Sequence, residues 1–325
     1  MDFYTSVYLR GPEVLVIGYK DGKRVKQRLP CQPYLFVSSK RDSKYTTIGG
    51  ESVDKIEFET PKEAREFAER YKGVNGFSVY GMTNFIYPFI YDNFQGTIAY
   101  DPSLISTVFI DIEVQSDQGF PRVDAAANPI TAITLIKNTT KYVFGCGVFV
   151  TQDPTVKYVR CRDEVDLLKR FLVLWNDLQI DVVSGWNIDF FDIPYLVNRI
   201  DRVLGNSFAR QLSPWGILNQ TTVEIMGKEN VVYTPVGITA LDYLQLYKKF
   251  AFTQQESYKL DHIAFAELGM RKVSYEGTVE LFRLLDGGDG ITVDDSLSDG
   301  QLAPFQLAIR KKNIVQEELK RRGLL

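Results

Sequence analysis

Three carboxylates stand out by type and position. Asp111 and Glu113 lie in the second half of TVFIDIEV, residues 107–114, where six of eight residues are β-branched or aromatic and favour a buried strand. A strand alternates its faces, so Asp111 and Glu113 point to one side and Ile112 to the other. Like charges side by side are costly unless a cation draws them together, and a divalent ion with oxygen ligands does so. A strand end whose acids reach water or a nearby lysine fits the same residues. The third acid, Asp192, lies about 80 residues later in GWNIDFFDIPYLVNRI, residues 185–200. It sits at a helix start, with Pro194 suited to the first turn and Ile193, Leu196, Val197 and Ile200 as a buried stripe. Asp192 fits a helix N-cap. It also fits a ligand-binding acid at the C-terminal end of a strand, where α/β sheets place their ligands. Gly185, Trp186 and Asn187 just before it suit close approach of backbone and side-chain amide to a substrate.

Composition narrows the chemistry. The chain has one histidine, His262, which argues against a histidine-based triad or a zinc site and leaves any metal to be held by carboxylates, which suits magnesium or manganese. Cys31, Cys146 and Cys161 are odd in number and lack metal spacing, and they read as reduced core or surface thiols. At 325 residues, 45% apolar and 24% charged, the chain is long enough for two ordinary globular domains. No apolar run approaches the roughly 18 residues of a membrane span, and the first residues lack a signal-peptide core. The expectation is a cytoplasmic protein without a membrane partner, in the host cytoplasm if the source is viral. A net charge of −3 does not point to nucleic acid globally, but a local basic groove is compatible with it.

The elements that must position the acids follow from periodicity. Residues 3–37 alternate strand runs with turns, including a hairpin signal at Asp21-Gly22. After a strand IEFE at 56–59, Thr60 caps a helix with Pro61 in its first turn and Glu63 completing a capping box, and Ala64, Phe67, Ala68 and Tyr71 form its apolar face. Past residue 105 come strands at 107–114, 131–136 and 141–150, then a helix from Val165 to Leu178 with Val165, Leu168, Phe171, Leu172 and Trp175 on one side. A strand at 180–185 follows. Residues 208–240 read as an irregular segment leading to a hairpin, with its turn at Lys228-Glu229-Asn230. The segment LDYLQLYKKFAF, 241–252, mixes an apolar helical stripe with Tyr247, Lys248, Lys249 and Phe250, a combination that can stack unpaired bases and pair with phosphates. A helix over Ser257–Leu268, ended by Gly269, holds His262 as a structural or surface residue.

Taken together, DIE at 111–113, GWNIDFFDIPYL at 185–196, LDYLQLYKKFAF at 241–252, SYKL at 257–260 and KVSYEG at 272–277 resemble family B DNA polymerases of T-even-type bacteriophages. The resemblance covers residues 1–285, the N-terminal and 3′–5′ exonuclease domains. It implies an α/β and α+β protein: a small α+β domain at 1–104, then a ribonuclease H-like exonuclease domain at 105–285 with a mixed sheet and flanking helices. By that resemblance Asp111, Glu113 and Asp192 are catalytic acids that hold two divalent ions, magnesium or manganese. Asp111 would bridge ions about 3.5–4 Å apart. Asp189 takes a position where the family often carries an acid that is not a ligand. Lys272 matches a lysine near the scissile phosphate. Asn187, Phe191, Tyr247, Lys248, Lys249, Phe250 and Tyr258 complete the nucleic-acid-binding set, and residues 219–237 resemble a hairpin that helps separate primer from template.

The chain departs from the family after Tyr275. The third exonuclease motif, a tyrosine and an aspartate on one helix, has no counterpart, and GGDGITVDDSLSDG stands where the aspartate is expected. The palm motifs of the polymerase are also absent. Residues 286–325 read as a linker and a terminal helix, Ala303–Gly323, unlike the family. The expected function is the N-terminal and proofreading portion of a phage replicative polymerase, acting on single-stranded and primer–template DNA with a second polypeptide that carries the polymerase domain. The alternative is an inactive module that binds single-stranded DNA or its own mRNA. An inert product of a broken gene is the third reading.

Overall fold

The computed structural model describes residues 1–116, 119–149, 151–225 and 227–270. Lys272, the KVSYEG segment, the acids of the 286–299 stretch and the helix expected from Ala303 lie outside them. Met1–Gln254 form one compact unit, and Gln255 opens a second.

The first hundred residues carry two antiparallel sheets. β1 (Phe3–Arg10), β2 (Glu13–Lys20) and β3 (Lys23–Pro30) form a meander. Asp21 and Gly22, at φ 52° and 70°, turn β2 into β3 with the positive dihedrals that a two-residue hairpin of matching twist requires. β4 (Tyr34–Ser38), β5 (Tyr45–Thr46), β6 (Ser52–Glu57), α1 (Pro61–Arg70), β7 (Val79–Tyr80) and α2 (Ile86–Asn93) follow, with the strands ordered β5-β6-β4-β7. The strand before α1 thus ends at Glu57, earlier than the expected 56–59. Thr60 Oγ1 accepts from the Glu63 N–H at 3.2 Å as a cap should. The Glu63 carboxylate reaches one residue past the box and accepts from the Glu59 N–H. Ala64 is buried, and Phe67 and Ala68 pack on the core formed by Val14, Val16, Leu35 and Phe85.

The sheet that follows is mixed and six-stranded. The elements of this region are β8 (Thr107–Val114), β9 (Ile130–Lys137), β10 (Thr140–Gly145), β11 (Val156–Arg160), α3 (Glu164–Asp177), β12 (Val182–Gly185), α4 (Asp192–Leu204), α5 (Asn206–Ala209), β13 (Leu218–Ile225), β14 (Lys228–Pro235) and β15 (Thr239–Asp242), with β13 and β14 paired as a separate hairpin. The sheet order is β11-β10-β9-β8-β12-β15, and β9 alone runs against the others. Without the edge strand β11, this is the third-second-first-fourth-fifth arrangement of a ribonuclease H-like sheet. α3 and α4 contribute Leu168, Phe171, Trp175, Ile193, Leu196 and Ile200 to a core shared with Val108, Ile110 and Ile112 of β8. Val165, expected in the stripe of α3, is 39% exposed because it lies about 90° from the centre of the buried arc. Two strands of this sheet escape the sequence reading. β11 is short and half-buried, and β15 takes Leu241 and Asp242 out of the expected helix, so that α6 runs only over Tyr243–Phe250. β13 and β14 close at Ile225↔Lys228 beside Gly227, at φ 74°, which moves the hairpin turn ahead of the expected Lys228–Asn230. In the second unit α7 (Leu260–Leu268) starts three residues later than expected and ends on Gly269 at φ 67°, whose N–H donates to Phe265 O. His262 is half-buried within it. Cys31 and Cys161 are buried thiols and Cys146 an exposed one. Among the described residues no helix is long and apolar enough to cross a membrane.

One buried charge joins the N-terminal meander to this sheet. The Asp181 carboxylate accepts from Tyr19 Oη at 2.7 Å, Thr5 Oγ1 at 3.0 Å, Arg24 Nε at 3.0 Å and the Ser106 N–H at 3.0 Å. Its side chain is 0% exposed. Ser106 and Asp181 directly precede β8 and β12, and Asp181 O accepts from the Thr239 N–H at the start of β15. Removing the carboxylate takes the acceptor from a half-buried guanidinium and from three further donors. Asp181→Ala is expected to destabilise the chain by roughly 3–5 kcal/mol, the cost of breaking a buried ion pair from one side. Urea unfolding checks this, and a loss below about 1 kcal/mol would refute the assigned weight.

Candidate functional site

β8 places Asp111 and Glu113 on its exposed face beside Phe109 and buries Val108, Ile110 and Ile112, as strand alternation predicts. The register with β9 shifts between Glu113 and Val114, a bulge at the end of the acidic stretch. Bulges re-aim side chains where a strand ends next to a site.

Asp192 is the first residue of α4, not its cap; Phe191 occupies the cap position and makes no side-chain cap bond. The Asp192 carboxylate instead crosses to β8, where Oδ1 accepts from the Ile112 N–H at 3.1 Å. β12 pairs with β8 only as far as Phe109, so beyond that point Asp192 supplies the acceptor that β12 no longer does. Only 3% exposed, the Asp192 carboxyl is pushed up to about 7, first by burial and then by the charge of Asp111, against the lowering effect of the Ile112 N–H. Asp111 and Asp192 are therefore electrostatic neighbours.

The turn from β12 into α4 is built tightly. A Cβ on Gly185 would stand 2.5 Å from Ile110 O and 2.6 Å from Ile188 Cγ2. The missing side chain thus serves packing of the strand end on β8, where sequence reasoning had given it to substrate approach. Asn187 sits at φ 65°, a conformation that asparagine tolerates better than most residues. Its carbonyl accepts from the Phe190 and Phe191 N–H groups. The Asp189 carboxyl is pushed up to about 6, by burial and then by Asp242.

The chemistry of the acids suits a hard divalent cation. Asp111 and Asp192 bring anionic oxygens together at a point where burial and mutual repulsion hold one of them toward neutrality, and a cation relieves both effects. Among the described residues, however, no three carboxylate, histidine or cysteine groups converge as a metal set. The structure brings Asp111 and Asp192 together and leaves Glu113 on the same strand face, outside a group of three.

The residues expected to hold nucleic acid fall in three places. Phe191 lies 5.6 Å from Tyr195 and 5.2 Å from Phe120, whose ring is 82% exposed. α6 (Tyr243–Phe250) carries Tyr247 6.0 Å from Trp186, with Lys248 and Lys249 exposed in its last turn and Phe250 68% exposed beneath Lys249 Nζ at 5.6 Å. Tyr258 is half-buried in the second unit, and Lys272 lies outside the described residues. Two residues that sequence reasoning passed over adjoin these. Phe120 extends the Phe191 stack but sits in a loop with no periodic signal. Asp242 caps α6 through the Leu244 N–H at 2.8 Å. An aspartate just ahead of an apolar-periodic run is an N-cap signal that could have found it.

The family model of DNA polymerase family B, exonuclease domain, matches residues 91–263. The chain is 31% identical over 313 residues to a DNA-directed DNA polymerase of Escherichia phage RB69, covering 87% of this chain and 34% of the relative. It is 30% identical over 311 residues to that of Enterobacteria phage T4, with the same coverage. A DNA polymerase catalytic subunit of Human herpesvirus 8 is 27% identical over 203 residues, 55% of this chain and 19% of the relative. The chain thus spans about a third of the length of the two phage relatives. With its mixed sheet, its acid pair across β8 and α4, and these matches, the chain belongs to DNA polymerase family B and carries that family's exonuclease domain.

Proposed function

We propose that this chain is the N-terminal and proofreading 3′–5′ exonuclease portion of a phage replicative DNA polymerase. On this reading it works in the host cytoplasm with a second polypeptide that carries the polymerase domain and the third exonuclease motif. The observation that carries the reading is the approach of Asp192 to β8, next to Asp111 and on the Ile112 N–H. Asp111, Glu113 and Asp192 would hold magnesium or manganese. Such ions supply a nucleophile from water near neutral pH and a counter-charge for the departing 3′ oxygen. The chain's own residues bind and orient the strand. Phe120 and Phe191 offer rings to the terminal bases, and Lys248, Lys249, Tyr247 and Phe250 offer charge and a stacking surface to single-stranded DNA leaving a primer–template junction.

A second reading has its own observation. The sheet β5-β6-β4-β7 carries an open cavity of about 620 Å³ lined by Phe36, Tyr45, Tyr80 and Ile48. Phe36 and Tyr45 meet at 5.2 Å, Lys44 Nζ lies 5.5 Å over Tyr45, and Lys55 Nζ lies 4.2 Å over Tyr34. Aromatic rings and lysines on a four-stranded sheet suit stacked, unpaired bases. This favours single-stranded nucleic-acid binding without cleavage, with the chain's own mRNA as one ligand.

Three outcomes test these readings. The chain alone is expected to degrade a 5′-labelled single-stranded oligonucleotide at least ~10³-fold more slowly than the chain with its partner, because a ligand and a water-orienting group are missing. Strong metal-dependent digestion by the purified chain, abolished by Asp111→Ala with Asp192→Ala, would overturn the need for a second polypeptide. Oligonucleotide binding is expected to weaken steeply with salt, and Lys248→Ala with Lys249→Ala should reduce the log–log slope by about 1.4. An unchanged slope removes α6 from the interface. Finally, Asp192 is protonated more readily in the folded chain than in the unfolded one, so the folded state binds the extra proton between about pH 4 and 7. Metal-free stability therefore falls as pH rises through that window, by at most about 4 kcal/mol from this group. Asp192→Asn should flatten this fall in urea titrations, and identical pH profiles for the two proteins would refute the assignment.

A further inference from the structure

Asp242 ends β15 and is only 3% exposed, yet its carboxylate serves more than the helix it caps. Oδ1 accepts from the Leu244 N–H of α6 at 2.8 Å and from the Asn187 N–H at 3.0 Å, and Oδ2 accepts from the Asp189 N–H at 3.2 Å. Capping alone requires one oxygen, and serine, threonine or asparagine would provide it. The second oxygen and two of the three bonds go to the turn that leads into α4. In that turn Asn187 holds a left-handed conformation, and without Asp242 two inward-pointing amides lose their acceptor. The turn leaves no slack before Asp192. Asn187 O accepts from Phe190 and Phe191, and Ile188 O accepts from the Ile193 N–H in the first turn of α4. Ser184 Oγ fastens the same strand pair by donating to Leu241 O at 2.7 Å, and Trp186 lies 6.2 Å from Tyr243 and 6.0 Å from Tyr247.

We infer that Asp242 is a positioning residue that holds the Asn187–Asp189 turn, and through it the Asp192 carboxylate, in fixed relation to α6. The inference rests on the exonuclease reading of Asp111 and Asp192. It adds that the acid pair and the basic, aromatic helix are set by one shared carboxylate. In this role Asp242 acts through the backbone of the turn, and its charge also bears on Asp192 as the smallest of the effects there.

Substitutions at Asp242 separate capping from positioning. Asp242→Ser keeps a cap oxygen for Leu244 but is too short to hold both turn amides. Asp242→Asn keeps Oδ1 for Asn187 and Leu244 and turns an amide donor toward the Asp189 N–H. Hydrogen exchange of the backbone amides and Mn²⁺ binding by electron paramagnetic resonance are read on the full chain, with Asp192→Asn as reference. The expected result for Asp242→Ser is exchange at Asn187 and Asp189 at least ~10-fold faster, with Leu244 protection kept. Mn²⁺ affinity should fall by about 10-fold or more, the usual effect of losing a group that orients ligands. Asp242→Asn should loosen Asp189 alone and fall between. Unchanged exchange at Asn187 and Asp189, or Mn²⁺ affinity within about twofold of wild type despite faster exchange, would overturn the proposal. Should Asp242→Ser fail to fold, Asp242→Asn carries the same two readouts. If wild type binds no Mn²⁺ and Asp192→Asn makes no difference, the exonuclease reading fails, and the exchange data still decide whether Asp242 holds the turn.

Discussion

The fold depends on what surrounds the Asp181 carboxylate. A charge with no exposed surface is tolerable only when hydrogen bonds and an opposite charge replace its water, and here a guanidinium, two hydroxyls and a backbone amide do so. The donors come from β1, β2, β3 and the residue before β8, so the bonds form only when the meander and the mixed sheet are docked. Tyr19 is held protonated by the same contact, since burial and the neighbouring carboxylate both oppose its ionisation. Because Asp181 and Ser106 open β12 and β8, this junction sets the starting points of the two strands between which the acids converge.

At the opposite ends of those strands lies an acid that burial and a like charge press toward neutrality. Asp192 is raised by burial, then by Asp111 and least by Asp242, against the lowering effect of the Ile112 N–H and its own. Asp181 and Asp192 thus show two treatments of a buried acid in one sheet: the first is surrounded by donors and ties two layers together, the second sits beside a like charge. A buried acid beside a like charge at strand ends costs stability, which supports the reading of this place as a site. α4 bears a further structural role away from Asp192. Arg199 donates to Glu164 Oε1 at 2.7 Å and to the carbonyls of Ala126 and Ala127, which fastens the loop after β8 to both helices. Tyr195 Oη reaches Asn128 O in the same loop. Phe120 is therefore carried by a loop whose far end is anchored, so an exposed ring has a defined place next to Phe191.

Much of this was legible in the residues. Period-two alternation in TVFIDIEV assigns Asp111 and Glu113 to one face without reference to any partner, and the i, i+3, i+4 spacing of Ile193, Leu196, Val197 and Ile200 determines the buried side of α4. Asp21-Gly22, Thr60-Pro61 and Gly269 mark a hairpin, a helix start and a helix stop through dihedral preferences that act within a few residues. Errors gathered where a short segment had two local readings. LD at 241–242 fits the end of a strand and the start of a helix equally well, and only pairing with β12 makes it strand.

What the sequence by itself determined was therefore the identity of the acids, the faces that carry them and the apolar stripes that bury their elements, since these depend on neighbours a few positions away. Tertiary structure alone decided which acids meet. Asp192 lies 80 residues from the Ile112 amide it accepts from, Asp242 lies 55 from Asn187, and Asp181 lies 176 from Thr5. Contacts at such separations are fixed by sheet register and by the crossover helix between β11 and β12, which carry no local period. Glu113 and Asp192 illustrate the division: alternation by itself places Glu113 on the face of Asp111, whereas the approach of Asp192 to Asp111 comes only from the point where α4 meets β8.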